Sequence, residues 1–266
     1  MKRKYDVIFS MGATCGCSQA LREAGLQLAS FPFDWIGGHD ICSKAQLMVD
    51  DFPGWFEPGT LTRIETPKFS KCDWYRDKFG FTPIHDFPAN VPLEDVLPKV
   101  RAKYRRRVDR LSRLIDGASR VLVAYFETVG REEASAEDVA EMRSILARRW
   151  PGVAFDALIL KFAEGVPLSR RKDESGEGWR AVSYDYKDRK EEDWRVDWRQ
   201  VGSWLKEEYE VVDYRTAEEK AQWKATSGKK RYAEFKATNW WDYTVTKIQY
   251  KIYKHLRTRL DRKGVV

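Results

Sequence analysis

The sequence lacks the long apolar runs and the many cysteines that mark membrane-spanning and disulfide-stabilised proteins. Its longest apolar runs, residues 121–126 and 157–160, are far shorter than the ~20 residues of a membrane-spanning helix. Four cysteines are too few for a disulfide framework in 266 residues, so we expect reduced thiols and a cytoplasmic protein. The basic residues 1–6 lack the apolar stretch that a signal peptide needs after them.

The composition nevertheless provides a core. Hydrophobic residues make up 42% and charged residues 33% of the chain, which excludes global disorder. The net charge of +7 suits an anionic ligand or surface, or simply a solvated exterior. Internal repeats and recognisable nucleic-acid-binding motifs are absent from the sequence, so we expect no specific nucleic-acid partner.

Apolar runs alternate with amphipathic segments along most of the chain. Strands are predicted at residues 5–10, 120–127, 153–162 and 210–214, and helices at 17–24, 93–115, 133–149 and 197–208. This alternation predicts an α/β fold of three layers, with a mostly parallel sheet flanked by helices. Two segments interrupt it: an irregular, aromatic-rich insertion at residues 51–92 and a charged loop or hairpin at 169–193.

The chain is predicted to divide into an α/β domain at residues 1–214 and a peripheral basic extension at 215–266. Residues 244–261 have an apolar stripe flanked by lysine and arginine, and Trp240 and Trp241 precede them. This pattern predicts an amphipathic helix that contacts an anionic membrane through residues 240–262, at the inner face of the membrane. The alternative is that the helix packs on the protein body or on a second subunit.

The most informative segment is the first strand, turn and helix. The turn places Cys15 at the start of the helix, where unpaired N–H groups favour a thiolate and can bind an oxyanion. Gly12 and Gly16 leave room for a substrate, and the hydroxyl of Thr14 lies beside the cysteine in sequence. Cys17 belongs to the apolar stripe and is predicted to be a core residue, a role that Cys15 could also have.

This segment and four others resemble a bacterial family of unknown function whose members are described as papain-like cysteine peptidases (the DUF1796 type). The matching residues are Ser10-Met-Gly-x-x-Cys15, Leu21-Arg22-x-x-Gly25-Leu26, Phe31-Pro-Phe-Asp-Trp-Ile36, His85-Asp-Phe87 and Lys103-Tyr-x-Arg-Arg107-x-x-Arg110. The resemblance covers roughly the first 130 residues and continues more weakly to about Tyr214. It implies a cysteine nucleophile with a histidine base. Ala13-Thr14 departs from the family's usual Ser-Asn, so a side-chain amide is missing beside the cysteine.

The chain offers three histidines as a base. His85 follows the cysteine and matches the family's His-Asp-Phe, so it is the first choice, whereas His39 is the second and His255 is predicted to be a surface residue. Asp34 and Asp86 are the candidates to orient the base. We favour Asp34, because a carboxylate among aromatic residues needs a partner, while Asp86 is predicted to fix its loop. Each of these residues also has a purely structural interpretation.

The substrate-binding residues are predicted to include Trp35 and two arginines of the basic helix, Arg106 and Arg110. Guanidinium groups bind carboxylate or phosphate through paired hydrogen bonds, so an acidic glycan, an acyl compound or a peptide would fit. The alternative is a solvated face or a salt-bridge network.

The sequence therefore predicts a cysteine-dependent acyl hydrolase or acyl transferase with a Cys15–His85 pair, and no metal or organic cofactor. A zinc site formed by Cys15, Cys17, His39 and Cys42 is disfavoured, because the C-x-C spacing is unusual for structural zinc and the two thiols point in different directions from one helix. The alternative from another class is a non-catalytic or glycan-handling component of surface-polysaccharide assembly, a setting that the family resemblance implies. A strand leading into the nucleophile turn is more typical of Rossmann-like and SGNH-type hydrolases than of papain.

Overall fold

A five-stranded, mostly parallel sheet forms the centre of the protein in a computed structural model that describes residues 2–12, 15–66, 70, 72–89, 91–127, 133–186 and 198–225. The strands are β1 (Arg3–Tyr5), β2 (Val7–Ser10), β3 (Ile36–Gly37), β4 (Thr62–Ile64), β5 (Cys72–Arg76), β6 (Thr82–Pro83), β7 (Phe87–Pro88), β8 (Arg120–Phe126), β9 (Ala154–Phe162), β10 (Lys172–Gly176), β11 (Trp179–Tyr184) and β12 (Tyr209–Val211). The helices are α1 (Cys15–Glu23), α2 (Ile41–Val49), α3 (Leu93–Asp116), α4 (Ala136–Arg149), α5 (Trp198–Glu208) and α6 (Ala217–Ala225).

The strand order in the central sheet is β10-β11-β9-β8-β2. Strands β2, β8, β9 and β11 are parallel, and β10 pairs antiparallel with β11. The parallel strands therefore share a carboxyl edge, which carries the β2–α1 turn and the residue that follows β8. In open parallel sheets this edge is where ligand and catalytic sites form.

Helices cover both faces of the sheet. On one face, Ile8, Leu122 and Leu158 belong to an apolar cluster with residues of α1 and α5. Helix α2 covers the other face. Its Lys44 lies over the ring of Tyr125, and Tyr125 points away from the apolar cluster, because the residues next to it in β8 belong to that cluster and successive side chains of a strand point to opposite faces. Helix α2 also packs against α4. The predicted three-layer α/β class with a mostly parallel sheet is confirmed.

The aromatic-rich insertion between α2 and α3 forms the small sheet β4-β5-β7, and its strand β6 pairs with β3, which precedes α2. Its core is a cluster of rings in which Trp55 contacts Phe33, Phe81 and Tyr104 at centroid distances of 5.2–6.0 Å. Contacts between aromatic rings therefore stabilise a segment that has little regular secondary structure.

Helix and strand boundaries follow local signals closely. Ser135 caps α4 in a reciprocal capping box with Asp138, and Gly25 follows α1 with a left-handed φ of 70°. In the charged segment 169–193, β10 and β11 form the hairpin that was one of the predicted alternatives, and β11 also pairs with β9 and so extends the central sheet. No helix of the described residues is long and apolar enough to span a membrane.

Contacts divide the chain into two units, Met1–Asp213 and Tyr214–Val266. The first contains the central sheet and the insertion. In the second, α6 begins after Thr216, whose hydroxyl accepts a hydrogen bond from the backbone N–H of Glu219. The predicted helix at residues 244–261, the Trp240-Trp241 pair and His255 lie outside the described residues.

Candidate functional site

Cys15 is the first residue of α1, directly after the turn that ends β2. Its thiol is free and the residue is half-buried. The hydroxyl of Ser18 lies 3.1 Å from the carbonyl oxygen of Cys15 and 2.8 Å from that of Asp34. Ser18 therefore holds the first turn of the helix against the loop that carries Asp34 and Trp35. Gly16 is buried in this turn, whereas Ala13 and Thr14 lie outside the described residues.

Gly12 is required by packing within the protein. A Cβ at this position would lie 2.4 Å from the Cβ of Cys17 and 3.4 Å from the backbone nitrogen of Phe126. Cys17 is fully buried and its thiol donates to the carbonyl oxygen of Ala124 at 3.3 Å. The sequence analysis assigned the space beside Gly12 to a substrate, but in the structure helix α1 of the protein itself fills that space. Cys17 is a core residue, as the helical pattern predicts.

Lys44 fixes the same turn from the other face of the sheet. Its side chain is fully buried, and Nζ donates to the carbonyl oxygens of Met11 and Gly12 at 3.0 and 3.1 Å. A buried ammonium is tolerated only when such partners replace water. The sequence analysis missed Lys44, because a lysine in a short amphipathic helix gives no signal of burial.

The pKa of the Cys15 thiol reflects two opposing effects. Burial raises the pKa, and the hydrogen bond from the residue's own backbone N–H lowers it. The helix terminus thus acts in the predicted direction, but burial has the larger effect. Cys15 is therefore expected to rest as a thiol at neutral pH, and a base must remove its proton before it can attack.

Asp34 is fully buried, and both carboxylate oxygens accept hydrogen bonds from groups close in sequence. Oδ2 accepts from Arg22 Nη2 at 2.7 Å and from the backbone N–H of Phe31 at 2.9 Å, and Oδ1 accepts from Gln27 Nε2 at 2.8 Å. Asp34 thus joins α1 to the loop at residues 27–34. These hydrogen bonds fix the position of the next residue, Trp35.

His85 is exposed, and its ring meets that of Trp35 edge-to-face at a centroid distance of 5.7 Å. Part of the side chain is nevertheless covered, and this burial and the charge of Lys103 lower the pKa of His85. The imidazole is therefore uncharged near pH 7 and can accept a proton. The Trp35 loop therefore links the two predicted catalytic residues, since it is bound to the Cys15 turn through Ser18 and contacts His85 through the Trp35 ring.

The carboxylate of Asp86 points toward α3, where it accepts hydrogen bonds from the Lys103 ammonium and the Tyr104 hydroxyl. Its side chain is 4% exposed. Like Asp34, Asp86 directs its described hydrogen bonds to groups other than His85. Its contacts anchor the His85 loop to the helix, the role that the sequence predicted for it.

The arginines of α3 differ in what they contact. Arg106 is exposed, whereas Arg110 donates from Nη1 to the carbonyl oxygen of Ser30 at 2.9 Å. Arg107, outside the predicted binding face, lies over the Tyr104 ring at 5.1 Å. Among the residues described, its buried Nη1 has no hydrogen-bond partner. The helix thus leaves Arg106 accessible, while Arg110 supports the loop before Asp34.

A cavity of about 440 Å³ lies between residues 51–57 and α3, with Phe52, Trp55 and Tyr104 among its lining residues. Asp51, Phe52 and Phe56 have left-handed φ values of 54–58°, a conformation that is costly for residues other than glycine and is often retained at functional sites. The hydroxyl of Tyr104 bonds to Asp86, so this ring separates the cavity from the His85 loop.

Glu127 follows β8 at the carboxyl edge of the sheet and is 6% exposed. Its Oε1 accepts a hydrogen bond from the backbone N–H of Ala134 at 2.8 Å, and burial raises its pKa. The preceding residue, Phe126, lies beside Gly12. Glu127 is thus a buried acid near the Cys15 turn that sequence analysis did not single out.

The cysteines proposed for a zinc site contact different elements. The Cys17 thiol bonds to Ala124, and the Cys42 thiol donates to the carbonyl oxygen of Asp138 at 3.2 Å, between α2 and α4. These thiols lie on opposite faces of the sheet and cannot bind one ion with Cys15. Within the described ranges, no group of three or more His, Cys, Asp or Glu side chains could hold a metal ion.

Comparisons with known proteins agree with the sequence resemblance over most of its length. The chain is 31% identical over 158 residues to "Uncharacterized protein R408" of Acanthamoeba polyphaga mimivirus, a match that covers 53% of this chain and 70% of that protein. This relative is viral, so it does not support the bacterial origin that the resemblance implied. No solved structure matches the chain. A family model matches residues 6–165, more than half of the chain, and the protein therefore belongs to the family described as "Putative papain-like cysteine peptidase (DUF1796)".

Proposed function

We propose that this protein is a cysteine-dependent acyl hydrolase or acyl transferase in which Cys15 is the nucleophile and His85 is the base. The observation that carries the proposal is the position of Cys15. A free, half-buried thiol begins the helix that follows the first parallel strand, at the sheet edge where α/β proteins form their sites. The family's description as a cysteine peptidase supports the same chemistry.

The reaction would start from neutral partners. His85 accepts the thiol proton as Cys15 Sγ forms a bond to the substrate carbonyl carbon, and the carbonyl oxygen takes up the electron pair. Backbone N–H groups at the start of α1, including that of Gly16, would stabilise this oxyanion. The bond to the leaving group then breaks, and the leaving group departs with the proton from His85. Water or an acceptor nucleophile finally cleaves the thioester.

Two carboxylates would act as positioning residues in this scheme. Asp34 holds the loop that places Trp35 against His85, and Asp86 ties the backbone beside His85 to Lys103 and Tyr104. Trp35 and the exposed Arg106 would contact the substrate, with Arg110 supporting the loop from α3. An acidic acyl compound, peptide or glycan suits this set, because Arg106 supplies an accessible positive charge.

The test is acyl transfer to the protein itself. Incubation with p-nitrophenyl acetate, followed by peptide mass spectrometry, should place the acetyl group on Cys15 rather than on the buried Cys17. His85→Ala should slow acetylation by about 100-fold, the usual effect of losing a general base. His39→Ala is the matched control, because it removes the second candidate base, and it should change the rate less than about twofold.

A pH series adds a second readout. The acetylation rate of the intact protein should rise with pH through the lowered pKa of His85, and the His85→Ala variant should lose this step. Equal acetylation of Cys15 and Cys42, or equal rates in the two histidine variants, would contradict the proposal. That outcome would favour the non-catalytic or glycan-handling alternative, in which the same residues line a binding site.

A further inference from the structure

A second cavity lies at the opposite edge of the central sheet from Cys15. It has a volume of about 270 Å³ and is bounded by β1, the first residues of β8, β9 and β11, the β10–β11 turn and β12. This volume is far larger than a single water molecule needs, and it suits a small metabolite. Its lining includes the arginines Arg3, Arg120 and Arg180 and one acidic residue, Asp156.

Two of these arginines are already paired. Arg180, with a side chain 6% exposed, donates from Nε to Asp173 at 2.7 Å and from Nη1 to Glu208 at 3.2 Å. Arg120 donates from Nε and Nη2 to Asp156 Oδ2 at 3.0 and 2.6 Å. The hydroxyl of Tyr5 donates to the same oxygen at 2.9 Å. These ion pairs make the lining of the cavity rigid, since a planar guanidinium group that donates two hydrogen bonds fixes the orientation of its carboxylate partner.

Three donor groups around the cavity are open to solvent or to a ligand. Arg3 and Arg120 are exposed and Trp179 is half-buried, and among the described residues the Arg3 guanidinium, Arg120 Nη1 and the indole N–H of Trp179 have no hydrogen-bond acceptor. Arg3 provides the surplus charge, because the ion-paired arginines Arg120, Arg171 and Arg180 are matched by three carboxylates, those of Asp156, Asp173 and Glu208. Arg180, and more weakly Arg171 and Arg3, lower the pKa of Asp173, which shows that Arg3 acts on the same end of the cavity.

The indole of Trp179 is held in place by the absence of a side chain at Gly176. A Cβ on Gly176 would lie 2.4 Å from Trp179 Nε1, so only glycine allows the ring to cover the turn. Tyr5 and Tyr209 add two further rings to the lining. The cavity thus combines unused donors on three strands with aromatic walls. A planar group bearing an anion satisfies both features.

We propose that this cavity binds a small organic phosphate monoester, with the phosphate held by Arg3, Arg120 and Trp179 and the organic group against the aromatic walls. A phosphate is favoured over a carboxylate because it offers three terminal oxygens to the three donor groups that line the cavity from β1, β8 and β11. The bound ligand would link β1 to the β10–β11 hairpin. This site is independent of the reaction proposed for Cys15, which lies at the carboxyl edge.

The experiment is calorimetric titration of the full-length protein with phenyl phosphate, with benzoate as the carboxylate counterpart. We expect saturable binding at one site. Arg3→Gln should weaken it by about tenfold or more, the value of one charge-assisted hydrogen bond. Lys4→Gln is the matched control, because it removes the same charge from the next residue of β1, whose side chain points to the other face, and it should change affinity less than about twofold.

Trp179→Phe keeps the ring and removes the N–H donor, so it should weaken phenyl phosphate binding by about fivefold even if Arg3→Gln misfolds. Benzoate should bind at least about tenfold more weakly than phenyl phosphate. Cys15→Ser should bind phenyl phosphate as the unmodified protein does. The proposal is overturned by an absence of saturable binding at millimolar ligand, by equal losses in the Arg3 and Lys4 variants, by equal or tighter benzoate binding, or by lost binding in Cys15→Ser.

Discussion

Individual buried polar side chains determine the conformation around Cys15. Lys44, Asp34 and Glu127 are each less than a tenth exposed, and each is compensated by backbone or side-chain partners. Burial of a polar group without partners costs several kcal/mol, so these residues are stable only in this arrangement. Sequence reasoning identified Asp34 because aromatic residues flank it. It missed Lys44 and Glu127 because their partners, the Met11 carbonyl and the Ala134 N–H, belong to the backbone.

Replacing Lys44 by methionine is expected to destabilise the protein through the β2–α1 turn. The substitution keeps the side-chain length but leaves the carbonyl oxygens of Met11 and Gly12 without the ammonium. Each buried group that loses its partner costs about 1–3 kcal/mol, so Lys44→Met should lower the free energy of unfolding by about 3 kcal/mol. Urea unfolding measures this loss. The exposed Lys99→Met is the control, and a similar small loss in both variants would show that Lys44 does not hold the turn.

Glu127 should make the stability of the protein depend on pH. Burial raises its pKa in the folded state, so the folded protein binds this proton more tightly than the unfolded chain does. The resulting stabilisation is complete below the unfolded pKa and is lost as pH rises through the folded pKa. Glu127→Gln retains the acceptor for Ala134 and does not titrate. Its stability relative to wild type should therefore improve as the pH rises from 4 to 7.

Urea titrations at several pH values follow this difference, with the exposed Glu174→Gln as the control. If the Glu127→Gln and wild-type curves keep a constant separation across this range, the carboxyl group does not change its pKa on folding.

At the scale of elements, short-range patterns predicted the individual helices and strands better than they predicted their assembly. The helix predicted at residues 93–115 and the strand at 120–127 match α3 and β8 to within a residue, because their periodicities are clear. The hairpin of β10 and β11 was one of the predicted alternatives for its segment, but the pairing of β11 with β9 in the central sheet was not predicted, because Trp179–Tyr184 lies in a charged segment. The contact between Trp35 and His85 was likewise not predictable, because the two residues are fifty positions apart, with α2 and most of the irregular insertion between them.

The β2–α1 unit should be sensitive to any side chain at Gly12. A methyl group there would overlap the Cβ of Cys17, which belongs to a helix packed against the sheet, so α1 must shift. Gly12→Ala should lower the free energy of unfolding by about 2 kcal/mol, the usual cost of overpacking a core. It should also increase the iodoacetamide labelling of Cys17. Gly152→Ala is the matched control, because nothing lies within 4 Å of its Cβ position. Equal stability of the two variants would contradict this packing.

At the scale of the whole molecule, the basic charge is concentrated near the C-terminus. Residues 240–262 contain six lysines and arginines and two aspartates, and so carry +4 of the net +7. The sheet and its core lie within Met1–Asp213, where both candidate sites are formed. The sequence therefore predicts a division of roles, in which the first unit supplies the chemistry and the basic extension supplies attraction to an anionic surface.

Removal of residues 240–266 tests that division. Each lysine or arginine near an anionic bilayer contributes about 1 kcal/mol, so the intact chain should co-sediment with vesicles containing phosphatidylserine and be released by salt. The truncated chain should remain in solution and keep nearly the same melting temperature. Replacing Lys247, Lys251 and Lys254 with glutamine should weaken binding in proportion to the charge removed, without shortening the chain. If truncation instead lowers the melting temperature strongly and the intact chain does not bind vesicles, the apolar stripe stabilises the fold, and its basic flanks serve only to keep it soluble.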